Sequence, residues 1–236
     1  MGERLSHLLR GIVAAERPDA LAREIVALPE PLGVDHVLFQ AAGAVGPPFA
    51  AASYSAEWAA RYAAAGFARV DPVVQGGARR TRPVDWRRLD WSSPAARRYR
   101  AEALAAGVGR QGFAVPIRHE ATRFAIFSVS ADADDGAWDA FVAARGRVLE
   151  IVAHAVDDRA RGFGGAAEPA TQPLSAREAE ALALIAGGLS RAGAAEALSI
   201  SEHTLRVYIE AARRKLGAAS AAQAVGRALA RGLVDA

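Results

Sequence analysis

Apolar positions recur at helical spacing over Leu5–Ala15, Asp19–Leu28, Ser55–Gly66, Pro94–Gly107 and Gly136–Arg159, and each stretch predicts a helix. Three runs between them, Val34–Ala41, Gly112–Arg118 and Arg123–Ser130, predict strands. The last two flank His119-Glu120-Ala121-Thr122, which predicts an antiparallel hairpin. Helices at both ends with strands between them predict an α+β fold, an α-β-α sandwich around a central antiparallel sheet.

The pattern breaks between Arg161 and Pro173, where Gly, Ala and Pro occur without apolar periodicity; this reads as a flexible linker. It divides the chain into residues 1–162, a linker over 163–173 and a second domain over 174–236. That second domain reads as all-α, with four helices. Ser175-Ala176-Arg177-Glu178 is a capping box, Leu182 and Ile185 carry the apolar stripe, and Gly187-Gly188 ends the first helix. A short second helix follows Ser190 over Arg191–Leu198. The third runs from Ser201 to Leu216 with Gly217 behind it, and the fourth covers Ala221–Arg231, closed by Gly232.

Composition narrows the function. The chain has 236 residues, 52% hydrophobic and 23% charged, which suits a packed core. No apolar run has the roughly 18–20 residues of a membrane helix. Met1-Gly2-Glu3-Arg4-Leu5 starts no signal-peptide core, so a cytoplasmic location is expected. Cysteine is absent, which removes disulfides, thiolate chemistry and cysteine-ligated zinc. Net charge is only +3, with Lys215 the single lysine among 29 basic residues, so the placement of charge matters more than its sum.

Placement points to the third C-terminal helix. Leu205, Ile209, Ala212 and Leu216 share one face, while His203, Arg206, Val207, Glu210, Arg213 and Arg214 occupy the other. A short helix, a tight turn and a longer helix with exposed basic residues match a helix-turn-helix, whose second helix enters the major groove of double-stranded DNA. An ordinary helical bundle with a solvated face has the same periodicity, so spacing alone leaves both open. As a DNA reader, Ser201 and Thr204 would meet phosphate at the helix N-terminus. Arg206 would read a base edge from a face shared with Val207 and Glu210, and Arg214 and Lys215 would meet phosphates or solvent.

In the first domain Tyr54, Trp58 and Tyr62 are spaced by four, and Asp71-Pro72 and Trp86 follow. Taken bare, such a stripe is more often core than binding site, and Asp-Pro is more often a turn.

Residue identities add a resemblance. Leu174-Ser175-Ala176-Arg177-Glu178, Leu182, Gly188-Leu189-Ser190, Ala195-Glu196, Ile200-Ser201-Glu202-His203-Thr204 and Lys215-Leu216-Gly217 resemble the LuxR-type helix-turn-helix. Departures fall at Ala192-Gly193-Ala194, where that family often has Lys, Glu and Ile, and at Tyr208, where it usually has His. Tyr54, Trp58, Tyr62, Asp71-Pro72-Val73, Trp86 and Gly112-Phe113-Ala114-Val115-Pro116-Ile117 resemble the acyl-homoserine-lactone-binding domain of quorum-sensing LuxR proteins. The resemblance implies that Trp58 bonds the lactone carbonyl, Asp71 the amide N–H and Tyr54 the acyl carbonyl. Ser128 would add a hydroxyl, and Tyr62 and Trp86 would form aromatic walls. Val73 and Ala114 stand where several members have Thr, which points to an unsubstituted, branched or aryl acyl group.

The implied protein is a ligand-responsive transcription regulator and not an enzyme. It would act as a homodimer on promoter DNA, with RNA polymerase as a further partner and a small-molecule autoinducer but no cofactor or metal. A solo regulator answering another small molecule, or none, shares every DNA residue. A lactone hydrolase is disfavoured, because the five histidines form no H-x-H or HExxH spacing and no G-x-S-x-G elbow occurs. A phosphorylated receiver domain is disfavoured too, since the first domain has no lysine.

Overall fold

The structure is a computed structural model that describes residues 2–43, 49–77, 80–118, 123–163 and 173–235. The chain packs as two compact units, residues 17–145 in one and residues 1–16 with 146–236 in the other. In chain order it begins with α1 (Gly2–Ala14), which belongs to the second of these.

The unit over 17–145 contains α2 (Pro18–Val26), α3 (Pro29–Leu32), β1 (His36–Gly43), β2 (Phe49–Ala52), α4 (Ala56–Ala64) and α5 (Pro72–Gly77). It continues through β3 (Val84–Asp85), α6 (Pro94–Ala105), β4 (Gln111–Arg118), β5 (Arg123–Ala131) and the first part of α7 (Asp135–Gly162). Local chemistry sets the helix starts. The Ser55 hydroxyl accepts from the Trp58 amide and the Ser93 hydroxyl from Ala96, while proline stands in the first turn of α2, α3 and α6.

The five strands form one antiparallel sheet in the order β2-β1-β5-β4-β3. β4 and β5 pair from Gln111↔Ala131 to Arg118↔Phe124, the expected hairpin; its turn, 119–122, lies outside the described residues. β4 is buried at every position from Gln111 to Ile117, so the sheet is covered on both faces, as an α-β-α sandwich requires. Register aligns Ala52, Leu38, Ser128, Ala114 and Val84 in one row across the sheet, with Ala50, Gln40, Ile126 and Pro116 two residues along. Both rows face the same way, because alternate strand residues share a face. The sequence reading missed β2, whose alanines are poor strand formers, and β3, which is two residues long. It also missed α3 and α5, which are too short to show a period.

The other unit joins α1 and residues 146–162 of α7 to α8 (Ala176–Ala186), α9 (Arg191–Ala197), α10 (Glu202–Lys215) and α11 (Ala221–Ala230). Serines 175, 190, 201 and 220 cap the four C-terminal helices, and both halves of the Ser175–Glu178 capping box are formed. Gly188, Gly217 and Gly232 take φ of 93°, 64° and 65°, the left-handed conformation that lets the chain turn out of a helix. Ala181, Ala194, Ala195, Leu205 and Ile209 form the core between α8, α9 and α10.

Packing does not follow the linker. α11 is buried at every position from Gln223 to Leu229, and Arg227 donates to both oxygens of Asp158 on α7 at 2.7 and 3.0 Å. Gln223 bonds the same carboxylate at 2.7 Å. A Cβ on Gly226 would lie 3.1 Å from the Ile151 carbonyl, so the two helices approach closely there. The second half of α7 and α1 thus pack with the C-terminal helices. Most of the expected linker, 164–172, lies outside the described residues.

Candidate functional site

A cavity of about 300 Å³ opens between the sheet and the helices beside it. Leu38, Gln40, Ile126 and Ser128 form its sheet side, and Tyr54, Trp58, Tyr62, Asp71, Val73, Trp86 and Tyr99 its other walls. The α4 helix places Trp58 and Tyr62 one turn apart on its inner side, rings edge to face at 6.2 Å. Trp58 stacks on Tyr99 of α6 at 6.2 Å, and Phe67 packs against both. Such aromatic pairs add about 0.5–1.5 kcal/mol each beyond the area they bury. Trp86 lies against the backbone of Gly112, where a Cβ would come 2.0 Å from the indole, so only glycine admits the ring.

Asp71 is 4% exposed. Its Oδ1 accepts from the Val73 amide at 2.8 Å and its Oδ2 from the Tyr62 hydroxyl at 3.0 Å, with further donors from Tyr99 and the Val74 amide. Burial nonetheless outweighs these donors and raises its pKa to about 6. Burial pushes the Tyr54 hydroxyl up to about 12, while burial and the Asp71 charge raise Tyr62 and Tyr99 well above the usual phenol range. All three phenols stay protonated as donors at neutral pH. The Tyr54 hydroxyl lies 3.5 Å from the Ser130 hydroxyl. No described residue bonds the indole N–H of Trp58 or the buried indole N–H of Trp86.

Of the ligand residues singled out in sequence, Tyr54, Trp58, Tyr62, Asp71, Val73, Trp86 and Ser128 converge on this one cavity. Ser128 is fully buried, its hydroxyl 3.4 Å from the Phe113 carbonyl. Ala114 is the exception: it packs in the same core but does not line the cavity. Sequence reasoning missed Tyr99, Gln40 and the alanines of β2. Tyr99 carried a usable signal, because Ala96, Tyr99 and Ala103 fall at helical spacing and are all buried.

On α10, Arg206, Val207, Glu210 and Arg214 form an exposed stripe. Arg206 meets the His203 ring at 3.1 Å, and Glu210 pairs with Arg213 at 2.8 Å. The Ser201 hydroxyl caps the helix by accepting from the Thr204 amide and lies 2.8 Å from the Thr204 hydroxyl. Lys215 departs from expectation. Its ammonium bonds Glu178 at 2.7 Å, and Glu178 also accepts from the Ser175 amide at 2.7 Å. That carboxylate is only 8% exposed and needs a cation, so Lys215 ties α10 to the start of α8. Glu178 is held below the usual carboxylate range by Lys215 and the Ser175 amide, against the opposing effect of burial. Among the described residues, no helix is long and apolar enough to cross a membrane.

Comparison with known proteins decides the family. The autoinducer-binding domain model matches residues 17–160, and the model for bacterial regulatory proteins of the luxR family matches residues 172–228. The chain belongs to the LuxR family. It is similar to the transcriptional activator RaiR of Rhizobium etli, 35% identical over 177 residues that cover 75% of this chain and 73% of RaiR. It is also similar to the transcriptional activator SolR of Ralstonia solanacearum, at 30% over 93% of this chain and 94% of SolR. The quorum sensing-dependent regulator RpaR of Rhodopseudomonas palustris is 29% identical over 75% of this chain and 72% of its own length. Among solved structures the fold matches CepR2 of Burkholderia cenocepacia (TM-score 0.55, 20% identity, 66% of this chain and 95% of that one). It also matches SdiA in complex with octanoyl-rac-glycerol (TM-score 0.51, 22% identity, 98% and 95%). This LuxR-type regulator thus couples an autoinducer-binding domain to a DNA-binding helix-turn-helix in quorum-sensing transcription. Its family is one of transcription regulators.

Proposed function

We propose that the autoinducer is an N-acyl-homoserine lactone, bound by an effector domain over 1–162 and relayed to a DNA-reading domain over 174–236. One observation carries this reading: a carboxylate, Asp71, is buried at the wall of an aromatic cavity at a net cost in solvation. A neutral ligand with an amide N–H relieves that cost by adding a donor or by replacing a tyrosine hydroxyl. In this arrangement the Trp58 indole donates to the lactone carbonyl, Asp71 accepts the amide N–H and Tyr54 donates to the acyl carbonyl. Ser128 offers a second hydroxyl, and Tyr62, Val73 and Trp86 enclose the ligand.

Size supports a compact effector. Filled at the protein packing density of about 0.74, a 300 Å³ cavity takes about 220 Å³ of ligand, enough for the lactone head and a medium-length or single-ring acyl group. Each buried methylene adds about 0.8 kcal/mol, so the head orients and the tail supplies affinity.

The regulator would act in the cytoplasm as a homodimer on two-fold related half-sites, recruiting RNA polymerase and catalysing nothing. Arg206 would read a base edge, with Val207 and Glu210 beside it. Ser201, Thr204 and Arg214 would meet phosphate. A different effector has one observation in its favour, the full set of protein donors already on Asp71. Thermal melts of the full chain with a panel of acyl-homoserine lactones separate the two. A lactone should raise the melting temperature through RT ln(1 + [L]/Kd), and melts unmoved by every lactone would overturn the assignment.

A further inference from the structure

Beyond the polar groups around Asp71, the cavity has one polar wall that this mechanism does not use. Gln40 lies on β1 facing the cavity, opposite Ala50 of β2 and Ile126 of β5. It is half-buried, and no described residue bonds its side-chain amide. Sheet register fixes how far it is from the ligand's head. Tyr54 meets Ser130, which pairs with His36, and Gln40 stands four residues further along the same strand, about 13 Å away. Between the two ends the wall is mostly apolar, formed by Leu38, Ile126, Ala50 and Ala52, with Ser128 beside Leu38 and its hydroxyl 3.4 Å from the Phe113 carbonyl. Gln40 thus lies beyond a mostly apolar stretch of wall.

An acyl tail that ends in a methyl group would strip water from the Gln40 amide and return nothing. A tail ending in a hydroxyl would restore both kinds of bond, since the amide offers a donor and an acceptor and the hydroxyl is both. We infer that the effector's acyl group carries a hydroxyl at its far end, on a medium-length chain or a single ring, and that Gln40 selects it. This rests on the lactone reading of the same cavity and adds the chemistry of the tail.

The test compares cinnamoyl- and 4-hydroxycinnamoyl-homoserine lactone, which differ by that one hydroxyl, by titration calorimetry on the full-length chain and its Gln40→Leu variant. The wild-type protein should bind the hydroxylated lactone about tenfold more tightly. Gln40→Leu should lose that preference and bind the two lactones alike. Gln40→Met provides the same comparison if the leucine variant fails to fold. Equal affinity of the wild type for both lactones, or a preference that survives in the variants, overturns the role of Gln40 and leaves the lactone reading standing. Failure of every acyl-homoserine lactone to bind overturns the lactone reading itself.

Discussion

Asp71→Asn separates binding from stability more cleanly than any other single substitution. Asp71 is raised from 3.8 to about 6, so the folded protein holds its proton more tightly than the unfolded chain does. That difference is absent below about pH 3.8, where both states are protonated. It grows as pH rises and is complete above about 6, where the ionised form costs folding about 3 kcal/mol. Asparagine removes the charge while keeping the shape. Its carbonyl can still accept from the Val73 amide, and its NH₂ can donate to the Tyr62 and Tyr99 hydroxyls if these rotate to accept. Some of the gain is lost because bonds to a charged acceptor become bonds to a neutral one, leaving a net stabilisation of about 1–2 kcal/mol at pH 7.5. For a chain of this length that raises the ligand-free melting temperature by about 2–8 °C. The same variant should no longer respond to the lactone. Calorimetric melts of both proteins from pH 4.5 to 8, with and without lactone, read both effects. An asparagine variant less stable than the wild type by the same margin at every pH would refute the account of Asp71 as a buried, ligand-awaiting charge.

Other parts of the molecule yield sharp expectations. Gly112→Ala should push the Trp86 ring out of place, lowering stability by about 1–3 kcal/mol in urea denaturation and abolishing the lactone-induced shift. Intact ligand affinity would show that the ring does not shape the cavity. Lys215→Met should lower stability by about 1–3 kcal/mol at neutral pH. Because Glu178 is held below its ordinary value of 4.5, this contribution is present above that pH and fades as pH falls through the lower folded value, so wild type and variant should converge in acid denaturation. Arg206→Ala should flatten sequence preference in competition binding to DNA, whereas Arg214→Ala should weaken all sequences alike and reduce the salt dependence.

The periodic elements were readable from the chain because their determinants are local. Ser175, Ser190 and Ser201 stand where a helix needs its first donors satisfied, and Gly217 and Gly232 where it must turn out, so the C-terminal helices emerge within a residue or so of expectation. The aromatic spacing and the single Asp were likewise visible as a constellation. Tertiary structure alone decided what those residues touch. Strand register, which no local pattern encodes for the alanine-rich β2, brings Gln40, Ile126 and Ala50 to one wall. The attachment of Lys215 to Glu178, 37 residues earlier, ties α10 to α8, and that of Arg227 to Asp158, 69 residues earlier, ties α11 to α7. Charge and spacing are properties of the chain, but whether a charge faces a ligand, a phosphate or another side chain depends on which distant segment comes to lie beside it.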